Sequence, residues 1–264
     1  MPIKIKLYPL VFPGDGAIAI AVTVPLNVLV ITDIRFSVLI IMKIGIILPS
    51  TSHKRDWTRP RHSYLFTTLT SLKETIDSEH TYKIYVGIDA DDVFYNEETI
   101  RYYNMFELDI EFVRVTVDKG HVTKIWNILA QKAYDERCDY LYQCGDDITF
   151  QKKGWVTKSI EHLQQVNNIG MTGPRNTNGN TTILTQCFVH RTHVAIFGYF
   201  FPEEIRNWYC DDWINGIYPA MRLPAEFTCV NTGGEPRYEI ARVPDLCKRL
   251  IARDREKVRA YQNQ

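Results

Sequence analysis

The stretch KGHVTKIWNILAQKAYDERCDYLYQCGDD, residues 119–147, carries two different hydrophobic patterns in succession. Val122, Trp126, Leu129, Ala130 and Ala133 recur at helical spacing and make one face apolar, while Lys124, Asn127 and Gln131 fall on another. DYLYQC, residues 139–144, then reads as a strand, and it runs straight into two adjacent carboxylates, Asp146 and Asp147. Two like charges side by side repel, so the pair needs either a cation between them or solvent at a turn.

Working outward, KIGIILP (43–49) is a continuous apolar run closed by a proline, which suits a strand buried on both faces. A long mixed segment from Arg61 to Ile76 precedes KIYVGIDADD (83–92), a second apolar run that also ends in carboxylates. A helix is expected near Glu97 to Met105, and the alternation in IEFVRVTV (110–117) predicts a half-exposed strand. After residue 147 the order continues with a helix from Gly154 to Gln165 and a strand in NIGMTGP (168–174). A loop of turn formers, PRNTNGNTT (174–182), follows, and QCFVHRTH (186–193) passes from strand to helix. Strands alternating with helices predict an α/β fold with a mostly parallel, doubly wound sheet flanked by helices.

In such sheets ligands bind beyond the carboxyl ends of the strands. Three polar clusters fall there: Ser50 to Arg55 after the first strand, Asp89 with Asp91 and Asp92 after the second, and Asp146 with Asp147 after the fourth. An aspartate pair is a hard oxygen donor set suited to Mg2+ or Mn2+, which takes its remaining ligands from water and substrate phosphates. Such a metal would offset the repulsion within the pair and the charge on a diphosphate leaving group.

The segment 119–147 resembles the core of GT-A-fold glycosyltransferases, especially the family 2 type, in which a donor-side helix bearing Lys and Asn precedes a strand that ends in a metal-binding D-x-D motif. Lys124 and Asn127 match the helix positions, and Asp146 and Asp147 match the last two positions of the triplet. Gly145 departs from the pattern, standing where many members carry the first aspartate, so Gly-Asp-Asp is a variant. The resemblance runs from about Lys43 to Tyr218. It implies a Rossmann-like GT-A sheet with a C-terminal acceptor-side helical region, and a nucleotide-sugar donor, UDP-sugar by family frequency. It also implies Mn2+ or Mg2+ on Asp146 and Asp147, an acceptor hydroxyl, and inversion of configuration. By the same resemblance Pro49, Ser50 and Thr51 lie along the nucleotide, with Asp89 ahead of Asp91 and Asp92 as the contact to base or ribose. Lys124 and Asn127 steady the donor.

FGYFFPEEIRNWYCDDWINGIYP, residues 197–219, holds the other chemical cluster. Asp211 and Asp212 resemble the carboxylate pair whose member acts as base in inverting GT-A enzymes, and family position favours Asp212 over Asp211. Trp208, Tyr209 and Trp213 are placed to stack on sugar faces. The plainer reading is a helix start, where aspartate is favoured by the dipole and by unpaired amides. His190 and His193 are candidates for a further metal ligand, and neither is singled out.

Gly-Asp-Asp between hydrophobic flanks also resembles the metal-binding hairpin of RNA-dependent polymerases, a fold that needs further motifs and a longer chain. A sugar-nucleotide nucleotidyltransferase shares the metal logic, yet the first strand leads into Leu48-Pro49-Ser50-Thr51-Ser52, which has no glycine. A non-catalytic carbohydrate- or nucleotide-binding protein on the same fold is the remaining alternative.

The chain's 31 basic and 31 acidic residues cancel, so no global field draws it to nucleic acid, and no nucleic-acid partner is expected. Six scattered cysteines form no C-x-x-C pair and read as reduced or buried thiols. Residues 1–41 differ in texture from the rest. Their apolar run AIAIAVTVPLNVLVI (17–31) is broken by Pro25 and Asn27, and it is shorter than the roughly 20 residues that span a bilayer. They are treated as an extension of unknown role, with a weak membrane anchor left open beside a short β segment, and a cytoplasmic location is favoured. Residues 42–264 are expected to form one domain of ordinary size.

Overall fold

The computed structural model describes residues 9–10, 19–20 and 41–264, apart from 219, 234 and 235. The chain divides into two units, residues 1–39 and 40–264. In the first, β1 (Pro9–Leu10) pairs antiparallel with β2 (Ala19–Ile20). The remainder of the 17–31 run lies outside the described residues. Among the described residues no helix is long and apolar enough to cross a membrane.

The second unit opens with β3 (Lys43–Ser50), α1 (Tyr64–Thr75), β4 (Thr81–Asp89), α2 (Glu97–Tyr103), β5 (Ile110–Val115) and α3 (Val122–Asp135). It continues through β6 (Tyr140–Gln143), β7 (Ile148–Phe150), α4 (Trp155–Gln164), β8 (Met171–Gly173), β9 (Arg175–Asn176) and β10 (Cys187–His190). α5 (Thr192–Phe197), α6 (Cys210–Ile217), β11 (Ala220–Arg222), β12 (Thr228–Asn231) and α7 (Pro244–Gln262) complete it.

Seven strands form the main sheet in the order β11-β8-β10-β6-β3-β4-β5. The pairs β3–β4, β4–β5, β3–β6 and β11–β8 are parallel, and only β10 runs antiparallel to its neighbours. This is the mostly parallel α/β sheet the alternation predicts. The strands are buried on both faces as their apolar runs require. Ile44, Ile46 and Leu48 join one core with Leu65, Leu69 and Trp155, while Ile47 and Tyr85 join the other with Leu129, Phe201 and Trp213. β5 is one of the sheet's two edge strands, and all of its residues but Val115 keep some exposure, without the face-by-face alternation its sequence predicts. Gly87 sets how closely α3 lies on β4: a Cβ there would fall 2.5 Å from Ile125 Cγ2.

The chain winds from β3 outward to β4 and β5, then returns by α3 to β6 on the opposite side of β3. The topological switch therefore lies between β3 and β6, and the crevice beyond their carboxyl ends is where a doubly wound sheet binds ligands. Ser50 ends one of these strands, and Asp146 follows the other by three residues.

β7 does not pair with β6. It joins a separate three-stranded sheet in the order β7-β12-β9. Gly145-Asp146-Asp147 is thus a crossover between two sheets and not the tip of a metal-binding hairpin. All six cysteines are buried free thiols.

Candidate active site

At the switch point the Asp146 carboxylate is fully buried and paired. Ser50 Oγ donates to its Oδ2 at 2.5 Å, and the Tyr95 hydroxyl lies 2.5 Å from the same Oγ. Arg237 approaches from the far end of the chain with a bidentate fork: Nη1 donates to Oδ2 at 2.9 Å, and Nη2 donates to Oδ1. The same Nη1 donates to the Thr51 carbonyl at 2.8 Å, and the guanidinium lies 5.9 Å from the Trp57 ring centroid. Only 15% of the Arg237 side chain is exposed. Asp146 was expected to hold a metal ion together with Asp147; it instead fills an internal charge pair with Arg237.

Asp147 is half-buried, and its carboxylate lies so close to the Gly233 α-carbon that any side chain there would overlap it. The Thr232 amide and hydroxyl donate to the Asp147 carbonyl at 2.8 and 3.0 Å. Burial first, and then the neighbouring charge of Asp146, push the Asp147 carboxyl up to about 6, against the pull of Arg237 and Arg55. The expected Asp146–Asp147 metal pair therefore does not stand open. Oδ2 of Asp146 already accepts two hydrogen bonds and the Arg237 fork spans both oxygens, so the donor set in this arrangement does not fit Mn2+ or Mg2+.

Beside this pair lies a cavity of about 550 Å³. Pro49, Ser50, Thr51 and Asp89 line it, as the strand-end rule and the resemblance expect, together with Lys119, Arg237 and Tyr238. Lys119 Nζ bridges Asp91 Oδ1 at 2.8 Å and Asp89 Oδ2 at 3.3 Å. His53 Nε2 stands 3.5 Å from Asp89 Oδ2. His53, Asp89 and Asp91 could between them ligate a cation, and the Lys119 ammonium occupies that position. Its hydrogen bond holds Asp91 below the usual carboxylate range.

A second cavity, of about 480 Å³, is lined by Asp211 and Asp212, with Trp126, Trp208, Asn180 and Arg242 around them. Tyr238 lines both cavities, so the two adjoin. The sequence CDDWINGI places the carboxylates here by making α6 amphipathic. Cys210, Trp213, Ile214 and Ile217 are buried, leaving Asp211 half-buried and Asp212 exposed in the first turn, where the helix dipole favours them. Burial, and next the charge of Asp212, push Asp211 up to about 6. Its Oδ1 accepts the Asp212 amide at 3.2 Å.

Other expected residues are placed differently. Asn127 is buried, donating to the Phe201 carbonyl at 2.8 Å and accepting the amides of Phe200 and Phe201 at 3.0 and 2.8 Å, so its amide fastens that loop to α3 and steadies no donor. Lys124 is exposed and lines neither cavity. Asp92 is buried and accepts from the Ser52 amide and hydroxyl, both at 2.7 Å, which shapes the 50–52 turn instead of contacting a ligand. His193 is buried in the core, donates through Nε2 to the Phe200 carbonyl at 2.8 Å, and is pushed by burial down to about 4. His190 Nδ1 lies 2.6 Å from the Thr192 hydroxyl, away from both cavities. Trp213 is fully buried and stacks on no ligand, whereas Trp208 is 39% exposed. Arg237 and Tyr238 were not legible in the sequence. RYEI follows no motif, and the Arg237 bond to Asp146 spans 91 residues.

No protein-family model matches the chain, and no curated protein matches it. Solved structures of S. aureus TarS do. The structure of TarS superposes with a TM-score of 0.58 at 14% identity, covering 81% of this chain and 39% of that one. TarS 1-349 in complex with UDP gives 0.58, and the complex with UDP-GlcNAc 0.59, each at 14% identity over 81% of this chain. The chain spans 65% and 66% of those two. At this identity the likeness establishes the fold: a mostly parallel sheet flanked by helices, as in TarS.

Proposed function

We propose that this protein is a glycosyltransferase that moves a sugar from a nucleotide-diphosphate donor, a UDP-sugar first among them, to an acceptor hydroxyl with inversion at the anomeric carbon. The observation that carries the reading is the pair of adjoining cavities. One lies at the switch point of the sheet, lined by Pro49, Ser50, Thr51 and Asp89; the other holds Asp211 and Asp212; Tyr238 stands between them. The likeness to TarS solved with UDP and with UDP-GlcNAc supports a nucleotide-sugar in the first cavity.

In this reading the acceptor enters the second cavity, where Trp208 supplies an apolar face for a sugar ring. Asp212, with Asp211 as reserve, takes the hydroxyl proton as the acceptor oxygen bonds to the anomeric carbon. The bond from that carbon to the diphosphate breaks on the opposite face, and the nucleotide diphosphate leaves with the electron pair. Lys54, Lys119 and Arg237 are cations that line the first cavity and can offset the charge that develops on the leaving diphosphate. No step is routed through a metal, because Asp146 is already committed to Arg237.

The test is release of UDP from UDP-sugars in the presence of a panel of hydroxyl acceptors, with the product's anomeric configuration read by NMR. Asp212→Asn should slow transfer by about 10²- to 10⁴-fold, the range for a lost general base, and leave donor binding intact. A product with retained configuration, or an unslowed Asp212→Asn variant, contradicts the assignment.

A further inference from the structure

We propose that the first cavity binds the diphosphate of its donor without a divalent ion, and that the Lys54 ammonium supplies the charge such an ion would bring. The proposal rests on the transferase reading for the diphosphate. It adds to that reading the residue that grips the phosphates and an independence from metal.

Three observations carry it. First, the carboxylate pair that would hold an ion is closed: Asp146 accepts Ser50 and the Arg237 fork, and Gly233 packs on the Asp147 carboxylate. The charge of a bound diphosphate then falls to the cavity's own side chains. Second, the other lining cations are already engaged. Lys119 bridges Asp89 and Asp91, and Arg237 uses three of its five N–H donors on Asp146 and Thr51. Lys54 lines the same cavity, and its ammonium makes no ion pair and no hydrogen bond among the described residues. Of the remaining lining carboxylates, Asp118 pairs with Arg206 at 3.5 Å, and the exposed Glu239 forms no ion pair with Lys54. The Lys54 ammonium therefore offers all its N–H donors to phosphate oxygens. Third, the backbone is built to present this side chain. Lys54 has a φ of 58°, in the left-handed region that residues with a Cβ seldom adopt. Its neighbours fix the turn: Asp92 accepts the Ser52 amide and hydroxyl, both at 2.7 Å, and the Thr51 hydroxyl at 3.1 Å. The Arg55 amide donates to the Ser52 carbonyl at 3.0 Å. A strained residue held in place by a buried carboxylate, beside the switch point of the sheet, is the pattern of a binding residue.

The experiment is isothermal titration of UDP and of uridine into the full-length protein, with EDTA and with Mn2+, on wild type, Lys54→Gln and Lys54→Arg. Wild type should bind UDP as tightly in EDTA as in Mn2+. Lys54→Gln should weaken UDP about tenfold or more, the loss of one hydrogen bond to a charged group, and leave uridine unchanged. Lys54→Arg keeps the charge and should recover most of the UDP affinity. Should Lys54→Gln fail to unfold cooperatively, Lys54→Gly takes its place with the same expected loss, since glycine suits the left-handed backbone. UDP that binds only with Mn2+ overturns the proposal and leaves the transferase reading standing, as does an unweakened Lys54→Gln variant. An equal loss of uridine and UDP binding overturns it too, because the effect is then not on the phosphates. UDP bound in EDTA by a chain that transfers no sugar supports the proposal and contradicts the transferase reading, and no UDP binding in either condition overturns both.

Discussion

Asp147 carries a cost that its neighbours impose. Burial and the adjacent Asp146 raise its carboxyl to about 6, so the folded chain holds a proton that the unfolded chain releases near pH 4. Between those values the native state binds more protons, and its stability falls as pH rises from about 4 to about 6. Asp147→Asn removes this dependence. Relative to wild type the variant should gain little below pH 4 and on the order of 2–3 kcal/mol by pH 7, read by urea denaturation across the pH range. An equal difference at pH 4 and pH 7 would contradict the assignment. The sequence was a partial guide at this scale. Pro49, Ser50, Thr51, Asp89, Asp211 and Asp212 line the cavities, because strand ends and an amphipathic helix start dictate where those side chains go. Asp92 and Asn127 are polar residues at equally suggestive positions, yet each turns inward to bind backbone amides, a choice made by local loop geometry that no spacing encodes. Arg237 was hidden for a different reason: its partner lies far away in sequence, and nothing around it marks the pairing.

At the scale of elements, α3 and α7 are held by particular contacts that can be broken singly. Gly87 admits α3 to within van der Waals contact of β4. Gly87→Ala should therefore cost about 1–3 kcal/mol, as overpacking of a dense core does, in a chemical denaturation experiment. Asp254 ties α7 to the rest of the domain. It is fully buried and accepts from Trp213 Nε1 at 3.1 Å on α6, from the Tyr199 hydroxyl at 3.2 Å, and from Lys257 at 3.0 Å. Burial alone would raise its carboxyl, and the hydrogen bonds from Arg253 and Lys257 outweigh it and hold the group below the usual carboxylate range. Asp254→Ala leaves the buried Trp213 Nε1–H without its acceptor and should cost about 1–3 kcal/mol. Because Trp213 lies one residue beyond Asp212, that variant should also impair transfer, with native urea stability and initial rate read on the same sample. The main-sheet strands and the helices α2, α3 and α4 between Lys43 and His193 were legible because buried strands and amphipathic helices have distinct periods, whereas the segment that forms α1 read only as a mixed stretch. The short β7-β12-β9 sheet was not: its strands are two to four residues long, too few to establish a period.

For the molecule as a whole, the account depends on the sheet's switch point creating a nucleotide cavity and on α6 setting a carboxylate pair at the mouth of the adjoining one. The parallel order β6-β3-β4-β5 brings Ser50 and Asp146 together, and the chain beyond β12 returns to close the space with Arg237 and Tyr238. The most direct measurement is isothermal titration of UDP into wild type, into Val117→Trp, which fills the first cavity, and into Asp212→Asn, which changes only the second. The account predicts saturable UDP binding to wild type, binding abolished in Val117→Trp with the fold intact, and unaltered binding in Asp212→Asn. UDP binding that survives Val117→Trp, or no UDP binding to the wild-type chain, would contradict it.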